Sequence, residues 1–464
     1  MEADPAQTLA THVCQTTFVD LPEHAVQASK RDILDTLGAA LGGSVAPGIA
    51  ELASLATEWG GREESSLLLL GERVPAPQAA MVNAAMGHAL DFDDTFDRAG
   101  NIHPGTSTLF ASLATAERRG DISGQELLLA VTLGLDVAGR LALAATVDRG
   151  WHRTATLGIF GATAAAGKLL HLSSEQMVHA FGIAYSQAAG NRQCILDGAL
   201  TKRLQAGQAA SSGVFAAILA QRQFTGAREV FTGRFGFYPM YQPEGYDLSA
   251  ITESLGEAFR GADLSFKPYP CGRPNHRILD AAIALHQQLN LAASQAQANI
   301  DEVVITTNPQ TYNNEFGDNP VKRRPTQVVE AQFSLPFLAA TALVLGRVGI
   351  ADVARVDNPA VLAIVDRMRG EPKADAPAGW GRMTVRQRNG RSTSLETQAH
   401  ASGSPQRPMS QAQLEDKFRD CAANAVRPIP DTVVEQAIEQ VRHLDEATDA
   451  TLLLRLFDPE TAVP

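Results

Sequence analysis

Cysteine is scarce in this sequence: four in 464 residues, at positions 14, 194, 271 and 421, with no CxxC pair. That excludes a disulfide framework and a cysteine-built zinc site, and it fits a reducing compartment. Aromatic residues make up only 6%. Basic residues are outnumbered, 39 Lys and Arg against 51 Asp and Glu, for a net charge of −12. A chain of that sign carries no broad footprint for nucleic acid or an anionic membrane. A locally cationic pocket for an anionic substrate is still compatible with it. No uninterrupted run of 18 apolar residues occurs, so no membrane span is expected. The start, MEADPAQTLA, lacks a basic region followed by an apolar stretch, so no signal peptide is expected and the expected compartment is the cytoplasm. Against these absences stands a hydrophobic content of 45%, ample for a large core in two or three domains.

Up to about residue 262 the apolar spacing is helical. It predicts helices over 25–41, 81–93, 106–119, 124–145, 158–170 and 207–221. Many core positions are alanine, as in GATAAAGKLL, which suits closely packed helices rather than a coiled coil. The character then changes. EVVITT at 302–307 reads as a strand, and 383–387 and 392–398 flank Asn389-Gly390 as a hairpin. Helices are predicted over 277–289, 332–345 and 359–369, with loops at 372–378 and 401–408. From 411 to 423 and 432 to 441 the pattern is helical again. The fold class expected is mainly α, with a smaller α+β part.

The densest polar cluster is GHALDFDDTFDRAGNIHPG, residues 87–105. A helix continuing through 87–95 places His88, Asp91 and Thr95 on one face. The bland alternative is a helix end whose acids are solvated. His103-Pro104-Gly105 opens the next helix, and a helix start favours an anionic ligand. Asp93, Asp94 and Asp97 also spell DDxxD, which in a helical protein suits magnesium and a prenyl diphosphate. No second metal motif accompanies it, and few aromatics are available to shelter a carbocation. Elsewhere, His152 beside Trp151 reads as structural, Lys202-Arg203 as a solvated basic turn at a helix start, and Cys271 as packing. KPYPCGRPNH, 267–276, is a proline-stiffened loop of the kind that binds ligands.

The ordered segments HALDFDDT (88–95), His103-Pro104, WHRTATLGIFGA (151–162), DGALTKRLQAGQAA (197–210), FTGAREVFTGRFGF (224–237), KPYPCGRPNH, EAQFSLPF (330–337) and RPMSQAQLEDKF (407–418) cover nearly the whole chain. Together they resemble the MmgE/PrpD family of 2-methylcitrate dehydratases, cis-aconitate decarboxylases and iminodisuccinate epimerases. The resemblance implies a large all-helical domain from 1–262 and 405–464, with a smaller α+β lid domain, 263–404, inserted. It implies an active site in the cleft between them, a homodimer, and no metal or cofactor. It implies a pocket of Asp91, Thr95, His103, His152, Lys202 and Lys267, joined by Tyr312. Arg273 adds a further cation, and the segment from Thr95 to His103, longer than in the decarboxylases, adds Arg98. Arg153 stands where proline often follows the second histidine, and Gln205 stands where a histidine is frequent.

The chemistry so implied is proton transfer next to a carboxylate of a small polycarboxylate or hydroxy acid. His103 is expected as acid/base, His152 as its partner, Asp91 as an orienting group, and Lys202, Lys267 and Arg273 as a cradle for carboxylates. The departures speak against a decarboxylase and for a different substrate, and the reaction expected is that of a 2-methylcitrate dehydratase-like hydro-lyase. Epimerisation and cis-aconitate-type decarboxylation are the alternatives.

Overall fold

The computed structural model describes residues 4–291, 293–317 and 319–458. The chain divides into two compact units. The first holds residues up to Ala89, Asp93–Phe266 and the segment from Ser410 on; the second holds Leu90–Phe92 and Lys267–Met409.

The first unit is helical. Its helices include α1 (Ala6–Gln15), α2 (Glu23–Gly43), α3 (Ile49–Trp59), α4 (Ala76–Gly87), α5 (Pro104–Arg119), α6 (Gly124–Ala144), α7 (Arg153–Thr156), α8 (Gly158–Leu169), α9 (Ser174–Tyr185), α10 (Gln193–Leu196) and α11 (Thr201–Gln221). A two-stranded ribbon, β1 (Ser65–Ser66) and β2 (Arg73–Val74), lies between α3 and α4 in the chain. Reciprocal Ser123–Glu126 and Ser173–Gln176 capping boxes start α6 and α9. Proline fits the first position of α5 because no N–H is needed there. Helix α11 packs against α4, α5, α8 and α9. Helices α6 and α8 meet at Gly134 and Gly161, where a Cβ on either would come within 2.8 Å of the other's carbonyl oxygen. The late helix Gln411–Ala423 returns to α2, where Lys417 Nζ donates to Asp35 at 2.7 Å.

Helix α6 is long and apolar enough to cross a membrane by length and composition, a property missed by counting uninterrupted apolar runs. Its apolar window is 94% buried inside the protein, as befits a core helix.

The second unit carries a four-stranded sheet in the order β4 (Met368–Pro372), β3 (Ile300–Thr307), β5 (Gly381–Gln387), β6 (Ser392–Glu396). Strands β3 and β4 are parallel and the other pairs antiparallel. Inward residues Val303, Ile305, Met383 and Val385 pack with helices His276–Gln288 and Leu335–Leu345 in one core.

Three expected elements are corrected. The helix predicted over 359–369 stops at Val365, and Met368–Pro372 is a strand. The helix predicted over 332–345 is broken: Ser334 caps a new helix whose second residue is Pro336. The helix predicted over 81–93 ends at Gly87, and Asp91 adopts a left-handed backbone, φ 51°. His88, Asp91 and Thr95 therefore do not share a helix face.

Candidate active site

In the helical unit the groups gather at helix ends. His88 follows the last residue of α4, His103 and His152 immediately precede α5 and α7, and Lys202 lies in the first turn of α11. Lys202 and Arg203 are buried, not a solvated turn. Lys202 Nζ donates to His88 Nε2 at 2.7 Å, and His88 Nδ1 lies 2.7 Å from Asp93 Oδ2. Because the lysine can only donate, His88 Nε2 accepts and Nδ1 carries the proton toward the carboxylate. Thr106 Oγ1 donates to the same Asp93 oxygen at 2.7 Å. Burial, aided by the Lys202 charge, lowers the His88 pKa to about 4, so its ring is neutral. Burial alone would raise Asp93, but His88 and His103 hold its carboxyl well below the usual range.

The His103 ring sits edge-on to His88, centroids 4.8 Å apart. His103 Nδ1 is 2.5 Å from the Asp94 carbonyl oxygen, which can only accept. Its Nδ1 therefore carries a proton. The His152 ring stacks on His88 at 5.4 Å, and its Nδ1 lies 3.0 Å from Gln205 Oε1. Burial first, then Lys202 and the two other imidazoles, pushes His152 well below the ordinary histidine value. Thr95 is fully buried and its hydroxyl has no hydrogen-bond partner among the described residues.

The DDxxD acids do not converge on one point. Asp93 faces His88, Asp94 accepts from the Gly105 N–H at 3.1 Å, and Asp97 accepts from Ser265 Oγ at 2.9 Å. Arg98 is exposed on the turn Asp97–Ala99. That turn tips a small hairpin closed by the Phe96–Ile102 bridge. Arg153 reaches it: its guanidinium donates to the Ala99 carbonyl at 3.2 Å and the Val147 carbonyl at 3.1 Å. The long Thr95–His103 segment and the arginine after His152 are thus two parts of one local structure.

In the second unit, Lys267 is fully buried and donates to the Asp91 carbonyl oxygen at 2.8 Å, with its carboxylate at 3.2 Å. The left-handed backbone of Asp91 lets both oxygens serve one lysine. Arg273, also buried, donates to the Ser402 carbonyl at 2.9 Å and lies 3.3 Å from His276 Nδ1. Asn275 donates to Glu315 at 3.1 Å, and burial raises the Glu315 carboxyl. Tyr312 is half-buried and stacks on Phe316. Burial pushes the Cys271 thiol well above its ordinary value, which fits packing and not nucleophilic attack.

The sequence offered His88 on a helix face with Asp91 and Thr95, Asp93 as part of DDxxD, and Asn275 and His276 only within the proline-stiffened loop; it overlooked Glu315. The usable signal was the buried context: ionisable groups amid Ala, Leu and Phe need partners.

Residues 7–248 match the MmgE/PrpD N-terminal domain and residues 269–443 the MmgE/PrpD C-terminal domain. The chain belongs to the MmgE/PrpD family. It is 29% identical to the human cis-aconitate decarboxylase over 473 residues, covering 97% of this chain and 94% of the relative. It is 26% identical to the cis-aconitate decarboxylase-like protein oryM of Aspergillus oryzae, covering 99% and 98%, and 25% identical to a cis-aconitate decarboxylase of Aspergillus terreus, covering 95% and 93%.

Proposed function

We propose that this protein is a lyase that decarboxylates a small unsaturated polycarboxylate of the cis-aconitate kind. The observation that carries the reading is the buried Lys202–His88–Asp93 chain flanked by His103 and His152. The names of the relatives favour carbon dioxide loss over the dehydration expected from the sequence, which becomes the second reading.

In the proposed reaction Lys202 pairs with a substrate carboxylate, and the Thr95 hydroxyl donates to another oxygen. The bond to the departing carboxylate breaks and carbon dioxide leaves. Its electron pair passes into the conjugated system of a remaining carboxylate, and a histidine Nε2–H delivers the proton to carbon. His103 is the proposed proton donor and His152 its partner. Asp91 is proposed to orient Lys267, and Lys267, Arg273 and Tyr312 to serve substrate binding in the same reaction; Arg98, on its exposed turn, is the weakest member of the proposed set. No metal is required by this scheme, and the protein is proposed to act as a homodimer.

The test is proton NMR in D₂O with EDTA present, offering cis-aconitate, 2-methylcitrate and citrate in turn. A decarboxylated product from cis-aconitate supports the reading. A vinyl signal from a hydroxy acid alone would replace it with dehydration, and loss of turnover on EDTA addition would reject a metal-free reaction. His103→Ala is expected to lower kcat by about 10²-fold or more with unchanged circular dichroism. A drop under about threefold would remove His103 from the acid/base role.

A further inference from the structure

Gln205 lies in the second turn of α11 and touches His152 through one atom, Oε1 to Nδ1 at 3.0 Å. An amide can present either end to an imidazole, so the orientation matters. Here the other end is committed. Gln205 Nε2 donates to the Asn191 carbonyl at 3.1 Å and to Cys194 Sγ at 3.4 Å. The carbonyl can only accept, so the amide cannot turn over without leaving that oxygen facing another oxygen. The loop itself is tied to the histidine: His152 N donates to the Gly190 carbonyl at 3.2 Å, and Trp151 bridges Asn191. Gly190, at φ 143°, leaves the space that Gln205 fills, for a Cβ there would lie 2.7 Å from Oε1.

We propose that Gln205 is a positioning residue that holds His152 as the Nδ1–H tautomer, so that Nε2 is the atom exchanging a proton with substrate. The proposal rests on His152 taking part in the reaction proposed above. The charged and titratable groups facing His152 are Lys202, His88 and His103, all of which disfavour a second proton on its ring. Gln205 is the neighbour that opposes them, and it does so as a neutral acceptor. A carboxylate in its place keeps the same acceptor and adds a charge that favours the protonated ring.

The experiment is ¹⁵N NMR of the full-length protein labelled at histidine, with the His152 signals assigned by their loss in His152→Asn. Wild type is expected to show a protonated Nδ1 and an unprotonated Nε2. Gln205→Leu is expected to lose that pattern, and kcat on cis-aconitate to fall about 10- to 100-fold with little change in KM. Gln205→Glu is expected to keep Nδ1–H, restore most of kcat, and move the His152 limb of the pH–rate profile upward. A wild-type His152 protonated on Nε2, or an unchanged tautomer and pH profile in Gln205→Leu, overturns the proposal. If Gln205→Leu does not fold, the wild-type spectrum and Gln205→Glu decide it. A protein that turns over no polycarboxylate while showing the Nδ1–H signal would reject the function and leave the tautomer assignment standing.

Discussion

Beneath the start of α5, carboxyl oxygens of Asp32 and Asp94 and the Thr36 hydroxyl converge on Gly105. A Cβ there would meet them at 2.6, 2.7 and 2.8 Å. Both acids are fully buried, and neither Asp32 oxygen has a hydrogen-bond partner among the described residues. Burial first, then the neighbouring acids, raises both carboxyls well above the ordinary 3.8. The sign follows from linkage. An acid whose folded pKa is raised contributes stability that is fully present below its unfolded value and lost as pH rises through the folded one. Asp32→Asn removes that titration while keeping the shape. Urea denaturation across a pH series from about 4 to about 8 is therefore expected to show the variant gaining on wild type as pH rises. A difference that does not change with pH would mean Asp32 ionises like a free carboxylate.

Helices were the most legible elements, and their crossings the least. The spacing read as 25–41 is α2, Glu23–Gly43, and 106–119 is the body of α5. The end of α4 was misplaced because Ala89, Leu90 and Phe92 continue an apolar pattern while the backbone has already turned. Strand β4, with Gly370 and Pro372 in five residues, lacks the alternation that marks a strand and is defined by its partner β3. The backbone contact of α6 with α8 depends on two glycines 27 positions apart, which no local pattern connects. Gly161→Ala would set a methyl 2.7 Å from the Gly134 carbonyl and 2.9 Å from the Ala138 methyl. It is expected to cost about 1–3 kcal/mol, read as a lowered urea midpoint at unchanged slope. A midpoint equal to that of wild type would show that the crossing has slack. In the candidate site, the histidines and lysines were visible as residue types in motifs. Their pairing was not, since Lys202 and His88 are 114 positions apart.

For the molecule as a whole, the proposed homodimer needs a face on which two copies meet. Helix α11 buries most of its length yet exposes Leu204 and Phe215, at 37% and 44%. Eleven residues make close to three full turns, so the two lie along one face. Gln208 and Ser211 lie between them on that face, so these are two separate apolar side chains, which we propose as contacts of the homodimer. Sedimentation equilibrium is expected to return about twice 49.3 kDa for wild type. Leu204→Asp together with Phe215→Arg is expected to return a single chain with native circular dichroism. A wild-type mass of one chain would dismiss the homodimer.

The hairpin between Thr95 and His103 has a meaning of another kind. Its ends are registered by the Phe96–Ile102 pair, so its tip can grow or shrink while the buried residues at either foot stay where they are. Closing a longer tip is cheap, about 0.6 kcal/mol for each doubling of length. The guanidinium of Arg153 is the strap that this particular length requires. A lineage can thus rewrite this tip, lengthening it and refitting the strap, without moving the buried Thr95 and His103 at its feet.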